Sequence, residues 1–392
     1  MNNKCVGITA EYNPFHNGHL YHLEQSKLAT GAQISVAAMS GNFVQRGHMA
    51  ICSKWERAEA AVKCGIDLVV EIPTVFACNS APVFASAAVE ILENLGADWI
   101  SFGSESGNIE ELKEISRAMN EKEPLIEKLV REKVKEGLSY PRARRDAVAL
   151  ILGDEKADLL DLPNNILAIE YLKRIQNAKP VTVKRQGPGY NELEPCEDMA
   201  SASAIRSMVK ISKNVETLTP EPSTEMLKKA LHPSEDKIFQ IICAKVLTSS
   251  REELDRVFAG GEGLGNKLKN EIRKASAYDQ LIQRLKSKRY TRTRIERFIS
   301  HVLLDIGAPD LYPNYIRVLA FNKAGSRYLK EVKKKGICSL PIITNINKDA
   351  QNDVALMSAI EKDILATDIF NLASGRNLYD ESDYVRMPRL IE

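Results

Sequence analysis

The sequence predicts an α/β protein: a doubly wound parallel sheet followed by a mainly helical C-terminal region. Up to residue 210, short β-branched runs alternate with amphipathic stretches, which is typical of β-α-β units. From residue 223, apolar residues follow a 3.6-residue period with few β-branched side chains. A chain of 392 residues is long enough for about two or three domains. We therefore predict boundaries at 1–212, 213–310 and 311–392, the last a small α or α+β region.

The elements of the first region alternate in order along the chain. β-branched and apolar runs predict strands at 5–10, 34–39, 67–71, 99–102 and, later, 181–184. Amphipathic stretches between them predict helices at 18–29, 54–64, 82–95 and 109–119, several of which end near a glycine. Residues 122–178 are predicted to be helical, with Pro163 at a helix start. A further helix is expected at 203–210.

The second region begins after a polar, proline-bearing segment near residue 213, which predicts a linker. Helical periodicity then predicts helices at 223–247, 250–258, 266–287 and 291–305. The tail from residue 312 mixes helical patterns with a possible strand at 337–344, and its division is left open.

Composition excludes several classes of protein. No apolar run approaches the roughly 18 residues needed to cross a bilayer, and the N-terminal residues show no signal segment. We therefore expect a cytoplasmic protein that has no membrane partner. The seven cysteines are scattered and never form a Cys-x-x-Cys pair, which predicts reduced thiols rather than disulfides or structural zinc. No protein partner is predicted.

Positive charge is concentrated between Lys267 and Arg297, where eleven Lys or Arg residues face three acids. Clustered cations of this kind favour an anionic macromolecule such as RNA, although a solvated helix face is the alternative. The candidate RNA contacts are Lys286, Lys288, Arg289, Arg292 and Arg294.

A candidate phosphate site lies where the first strand meets the first helix. An Asn13-Pro14 turn is followed by Gly18, and His16 and His19 are three residues apart, so both rings can face an anion bound at the helix N-terminus. Their expected role is to donate hydrogen bonds to phosphate oxygens as charge develops. Surface or capping histidines, or a metal site including His22, are the alternatives. The combination of strand, turn, glycine and histidines favours phosphate.

Two motifs carry a family resemblance. His16-Asn17-Gly18-His19 resembles the H-x-G-H signature of the nucleotidyltransferase superfamily, and the segment from Ala200 to Arg206 resembles its I-S-S-T-x-I-R pattern, with Ala200 and Ala202 as departures. The resemblance implies a sheet of nucleotidyltransferase (Rossmann-like) type, catalytic roles for His16, His19 and Arg206, and pyrophosphate contacts from Ser201, Ser203 and Arg206.

Longer runs at 10–19, 39–47, 53–55, 102–105, 163–167 and 317–322 are similar to the tRNA(Met) cytidine acetate ligase family. That resemblance implies that ATP and acetate form acetyl-adenylate in the first region. The acetyl group then passes to the exocyclic amine of the wobble cytidine of elongator methionine tRNA, with Mg²⁺ on the phosphates. Two other functions stay open: adenylylation of a small cofactor precursor, or RNA binding without catalysis.

The same resemblance implies an ATP site. Gln45 and Arg46 are expected on the α-phosphate or acetate, and Asn164 competes with Asn165 for the nucleotide contact. The other predicted ATP-binding residues are Gly7, Ile8, Thr9, Ala10, Glu11, Tyr12, Asn13, Pro14, Phe15, His16, Asn17, Gly18, His19, Leu20, Gly103, Asn165, Arg185, Ser201, Ser203 and Arg206.

Overall fold

A computed structural model describes residues 3–186, 198–287, 290–308 and 312–392. Lys288, Arg289 and Cys196 therefore lie outside the described residues. The strands are β1 (Cys5–Ala10), β2 (Ile34–Ser40), β3 (Leu68–Ile72), β4 (Trp99–Ser104), β5 (Lys179–Lys184), β6 (Ile316–Phe321), β7 (Ile342–Ile343) and β8 (Arg389–Leu390).

The helices of the first region begin with α1 (Asn17–Thr30), which follows β1. They continue with α2 (Lys54–Lys63), α3 (Thr74–Ala77), α4 (Ala81–Asn94), α5 (Ile109–Glu121), α6 (Glu123–Lys135), α7 (Tyr140–Leu152), α8 (Asp154–Asp158), α9 (Pro163–Arg174) and α10 (Ala202–Lys210). The later helices are α11 (Glu221–Lys229), α12 (Glu235–Thr248), α13 (Arg251–Arg256), α14 (Leu264–Glu271), α15 (Tyr278–Leu285), α16 (Arg292–Leu304), α17 (Lys323–Lys335), α18 (Ile346–Asp349) and α19 (Val354–Ser374).

The strand order of the sheet is β5-β4-β1-β2-β3-β6-β7. Strands β1 to β5 pair in parallel, and the chain runs outward from β1 in both directions, first to β2 and β3 and then to β4 and β5. This arrangement confirms the doubly wound prediction. It also creates a topological switch point at β1, where open α/β sheets bind ligands outside the carboxyl ends of the strands.

Helices cover both faces of the sheet, and β2 shows this most directly. Val36 and Ala38 pack into the core with α4 and α9, whereas Ala37 and Met39 pack on the other face with α1 and α2. Successive strand residues point to opposite faces of the sheet, and every residue of β2 is buried. Both faces are therefore covered, which explains why the sequence of β2 is mostly apolar without alternation.

The C-terminal segment extends the same sheet. β6 pairs antiparallel with β3, and β7 and β8 both pair with β6. The boundary at 310/311 stays a prediction, but the strands beyond it do not form a sheet of their own. Of the strand expected at 337–344, only Ile342–Ile343 is extended, and the sequence analysis did not predict β6.

The middle of the chain is helical, as predicted, but two predicted helices are divided. The helix expected at 223–247 splits into α11 and α12, because Pro233 cannot continue an α-helix. The helix expected at 266–287 splits into α14 and α15. Helices α12 to α16 bury one apolar core, which also takes in Phe43 from the loop after β2 and Ile369 from α19.

A buried ionic cluster ties the C-terminus to the sheet. Lys54 Nζ lies 2.8 Å from Glu71 Oε2 at the end of β3 and 2.7 Å from Asp383 Oδ2, and all three side chains are almost fully buried. Breaking one partner of such a cluster leaves an uncompensated buried charge. The cluster therefore fixes the start of α2, the end of β3 and the C-terminal segment relative to one another.

Candidate active site

A cavity of about 340 Å³ opens at the carboxyl ends of β1 and β4, at the switch point. The starts of α1, α9 and α10 surround it, and the loop after β2 forms another wall. Its lining includes Thr9, Ala10, Glu11, Tyr12, Asn13, His16, Gly18, His19, Gln45, Arg46, Gly103, Asn164, Arg185, Ser201 and Arg206. Most of the predicted ATP-site residues thus meet in one place.

The turn between β1 and α1 has an unusual backbone. Tyr12 is a buried tyrosine with φ 44°, in the left-handed region that non-glycine residues rarely adopt. The Asn13–Pro14 peptide bond is cis. Asn13 Oδ1 accepts a hydrogen bond of 2.8 Å from the Ile51 amide, which anchors the turn to the loop after β2. A non-glycine residue in the left-handed region, such as Tyr12, is typical of ligand sites, where surrounding contacts hold the strained backbone in place.

The histidine pair forms the wall above this turn. His16 is the N-cap residue of α1, and its amide donates to His19 Nδ1 at 3.2 Å. The two rings stack with centroids 3.8 Å apart. Since His19 Nδ1 accepts a hydrogen bond, its proton is on Nε2, where it can be donated to a ligand.

Both imidazoles are neutral at physiological pH. Burial, with help from Arg185 and Arg206, lowers the pKa of His16 to about 3. Burial, then His16 and Arg185, lower the pKa of His19 well below its usual value. The pair can therefore donate neutral N–H hydrogen bonds to phosphate, while the nearby guanidinium groups supply the positive charge.

Gly18 leaves space for the His16 ring. A Cβ at this position would lie 2.9 Å from His16 Cε1 and 3.0 Å from His16 Nδ1. The spacing of the motif is thus a packing requirement, because any side chain at position 18 would displace the imidazole.

The second motif begins α10 and meets the first through its arginine. Ser201 caps the helix by accepting from the Ala204 amide at 3.1 Å. Arg206 Nη1 donates to the Asn13 carbonyl at 2.7 Å. Two helix N-termini and a guanidinium therefore face the same cavity, which is a favourable arrangement for a polyphosphate.

The loop after β2 is held between the two halves of the site. The Gln45 amide donates to Glu11 Oε1 at 3.0 Å, and Gln45 Nε2 donates to the Asn79 carbonyl at 2.9 Å. These bonds hold Gln45 and Arg46 on the wall of the cavity, and their contact with the α-phosphate or acetate stays a prediction.

The far wall is built from β4, β5 and α9. A Cβ at Gly103 would lie 3.4 Å from Arg185 Cγ, which is an ordinary contact, so the position of this arginine does not require a glycine at the end of β4. Asn164 lines the cavity and donates to Glu105 Oε1 at 2.7 Å. Asn165 is fully buried behind it, and its Oδ1 accepts from the Glu105 and Ser106 amides. Asn164 is therefore the better candidate for nucleotide contact, and Asn165 positions the loop.

Several predicted ATP-site residues support the site from outside the cavity. A Cβ on Gly7 would lie 2.9 Å from Leu92 Cδ2, so this glycine allows α4 to pack on the sheet. Asn17 Nδ2 donates to the Asp198 and Thr217 carbonyls, which joins α1 to the segments flanking α10. The others that do not line it are Ile8, Pro14, Phe15, Leu20, Asn165 and Ser203.

The structure adds residues that the sequence analysis did not assign. His22 lines the cavity, and its Nε2 lies 3.1 Å from Ser101 Oγ. Its position three residues after His19 was the available signal. Thr293, from α16, also lines the cavity, and no local pattern links it to the N-terminal motifs. Over the described residues, no group of three or more His, Cys, Asp or Glu side chains could hold a metal ion.

Many cations of the basic segment are already paired. Arg292 contacts Asp279 Oδ1 at 2.6 Å and Glu296 Oε1 at 2.8 Å. Lys286 is exposed, and Arg294 lies over the Tyr290 ring at 5.3 Å. Both acids are among the three already counted against the eleven cations, so these pairs leave the excess of positive charge in the segment unchanged. Separately from these charges, none of the helices in the described part of the chain combines the length and the apolar character needed to span a bilayer.

Comparison with known proteins relates this geometry to two levels of family. Residues 3–383 match the family model described as HIGH Nucleotidyl Transferase. A tRNA(Met) cytidine acetate ligase of Thermoanaerobacter sp. is 40% identical over 97% of this chain and 98% of its own length. One of Clostridium perfringens is 39% identical, with 98% of both chains covered.

Two solved structures of Thermotoga maritima TmcAL are also similar. The apo form superposes with a TM-score of 0.91 at 29% identity, with 99% of each chain covered. A second crystal form, bound with alpha-thio ATP, superposes with a TM-score of 0.89 over the same share of both chains.

Proposed function

This chain belongs to the tRNA(Met) cytidine acetate ligase family, among the HIGH nucleotidyl transferases, and from that premise we propose that it is an ATP-dependent acetate ligase that modifies methionine tRNA. The observation that carries the proposal is the junction of the two motifs. Arg206 in α10 donates to the carbonyl of Asn13 in the turn before α1, and both residues line a single cavity of nucleotide-binding type.

In the first step, an acetate oxygen attacks the α-phosphorus of ATP in line with the departing pyrophosphate. His16 and His19 donate hydrogen bonds to the non-bridging oxygens, on which negative charge increases. Arg206, Ser201 and the free amides of α10 hold the pyrophosphate. The chain needs no covalent intermediate, because the step depends on positioning and electrostatic stabilisation.

The cavity suits a magnesium ion held mainly by the phosphates. Glu11 is the carboxylate that lines it among the described residues, and one of its oxygens accepts the Gln45 amide. Mg²⁺ in phosphate sites commonly takes one or two carboxylates and otherwise binds phosphate oxygen and water. Bound there, it would neutralise phosphate charge, and Glu11 is the residue that would hold it.

In the second step, the acetyl group passes to the exocyclic amine of a cytidine, which we assign to the wobble position of elongator methionine tRNA. The helices after residue 213 supply the RNA-facing surface, with Lys286 and Arg294 as the better-placed cations. Recognition by shape and backbone suits such a surface, since the target base is exposed in its loop. A tRNA substrate implies work in the cytoplasm.

The test is isotope exchange without tRNA. The protein should incorporate labelled pyrophosphate into ATP only when acetate is present. Acetate and ATP form acetyl-adenylate and pyrophosphate, and the reverse of this step returns labelled pyrophosphate to ATP. A protein that adenylylates a cofactor precursor would exchange with that compound instead of acetate. Exchange that is independent of acetate, or no exchange with any small acid, would refute the proposal.

A further inference from the structure

A second cavity of about 540 Å³ adjoins the first. Arg206 lines both, and the loop after β2 separates them, with Gln45 and Arg46 on one side and His48 on the other. The remaining walls come from α10, α12, α15 and α16. This space therefore lies between the adenylating site and the helices assigned to RNA.

The walls of the second cavity suit a flat, partly polar ring. Its apolar surface comes from Phe43, Met49, Ile238, Ile299 and Leu303. Its polar rim is largely self-paired, since Arg292 bonds to Asp279 and Glu296 as described above, and Lys210 pairs with Glu235. Apolar pockets with a few placed polar groups are typical of small-molecule and base recognition.

His48 is a polar residue of this cavity, and one of its two ring nitrogens is available to a ligand. Its Nδ1 lies 3.1 Å from the Met49 carbonyl, so Nδ1 carries the proton and Nε2 keeps a lone pair. Among the described residues, Nε2 has no hydrogen-bond partner. His232, in the same cavity, differs because its ring nitrogens lie 2.8 and 3.2 Å from the Ile51 and Leu227 carbonyls.

The loop that carries His48 is firmly seated. The Val44 amide donates to the His48 carbonyl at 3.0 Å, and the Ser300 hydroxyl donates to the Gly47 carbonyl. Gly47 has φ 89°, and a Cβ there would lie 2.3 Å from the Arg297 amide nitrogen. This glycine lets the loop press directly on α16, so the imidazole has a fixed position relative to both cavities.

We propose that the second cavity receives the acceptor base, a pyrimidine with an exocyclic amine, and that His48 Nε2 accepts the proton that this amine loses. The inference rests on the proposed function and extends it. The amine nitrogen forms a bond to the acetyl carbon, and the bond from that carbon to the AMP phosphate oxygen breaks. The proton passes from nitrogen to His48, and AMP leaves as an anion.

The electrostatic setting keeps His48 neutral. Burial first, then Arg206, Arg46 and Lys210, lower its pKa to about 3, although the Met49 carbonyl raises it. The lowered pKa makes the His48 imidazole a weaker base than usual, but the attacking nitrogen becomes positively charged as the bond forms, and its proton is then readily lost.

An isosteric pair of variants separates proton acceptance from packing. His48→Gln fills a similar space but cannot accept the proton, whereas His48→Glu replaces one base by another. In single-turnover transfer from preformed acetyl-adenylate to tRNA, we expect the glutamine variant to be slower by roughly a hundredfold or more, and the glutamate variant to recover a large part of that loss. Acetate-dependent pyrophosphate exchange should change by less than about threefold in His48→Gln, which adds no charge near Arg206 and Arg46.

A substitution at Ser207 tests what occupies the second cavity. Ser207 is exposed on α10 and lines the cavity, so Ser207→Trp should block the base while leaving the fold intact. Transfer should be lost although tRNA still binds through its phosphates. Near-normal transfer in Ser207→Trp, or equal rates in the two His48 variants, would overturn the inference while leaving the proposed function standing. Absence of acetate-dependent exchange in the unmodified protein would refute both.

Discussion

Replacing Gly18 by alanine adds one methyl group next to the His16 ring and provides a sharp test of the site. The new Cβ would lie 2.9 Å from Cε1 and 3.0 Å from Nδ1 of that ring, whereas carbon atoms in contact prefer about 3.5–4.0 Å. The ring cannot move aside easily, because it is only 5% exposed and is stacked on His19 at 3.8 Å. A displacement of several tenths of an ångström is therefore required.

We expect that displacement to reduce catalysis more than stability. A misplacement of about 1 Å can cost about a hundredfold in rate, so acetate-dependent pyrophosphate exchange should fall by roughly 10- to 100-fold. Alanine has the higher helix propensity, by about 1 kcal/mol, which offsets part of the steric cost. The temperature of unfolding should thus change little while exchange falls.

Gly307→Ala is the matched control, because a Cβ there meets nothing within 4 Å. Exchange and thermal unfolding should be measured on both variants and the unmodified protein. If Gly18→Ala exchanges pyrophosphate within about threefold of the unmodified rate, the placement of His16 is not catalytically important and the reasoning fails.

Three further predictions concern the charges around the site. Arg206→Lys keeps the charge but loses the planar fork, so exchange should fall at least about tenfold with a higher KM for ATP; unchanged kinetic constants would contradict this. Lys286→Glu combined with Arg294→Glu should weaken tRNA binding and leave pyrophosphate exchange unchanged. In filter binding at several salt concentrations, the slope of log affinity against log salt concentration should fall by about two. An unchanged slope would mean that these residues belong to a solvated face that does not contact RNA. The pKa of His16 is lowered to about 3 in the folded protein, so its contribution to stability is present above pH 6.5 and is lost as the pH falls toward 3. Between pH 6.5 and 4.5, the free energy of unfolding in urea should therefore fall less for His16→Gln than for the unmodified protein. Equal losses in the two proteins would contradict the assignment.

The sequence predicted the first region well because its signals are local. A β-branched run, a turn and a helix start follow one another within the first twenty residues, and the strand at 5–10 is observed at those bounds. The second phosphate motif depends on the resemblance, since a short serine and arginine pattern is weak alone. The structure adds the bond from Arg206 to Asn13, which joins positions 193 residues apart.

What the sequence analysis missed depends on long-range contacts. The apolar run of β6 has no periodicity that distinguishes a buried strand from a buried helix segment, and its partner β3 lies some 250 residues earlier. Likewise, the second cavity combines the loop around His48 with α12 and α16. These elements come together because Phe43 and Ile299 pack in the same apolar core, and a contact between residues so far apart in the chain cannot be predicted from a local sequence pattern.

The stoichiometry of the products formed with tRNA shows whether acetylation of the cytidine proceeds through an acetyl-adenylate. The protein should be incubated with ATP, labelled acetate and methionine tRNA, and AMP, pyrophosphate and acetylated nucleoside should be measured in the same samples. We predict equal amounts of all three, with the label confined to one cytidine and lost when that cytidine is replaced by uridine. Acetylation that requires acetyl-CoA, or that proceeds without AMP formation, would contradict the account.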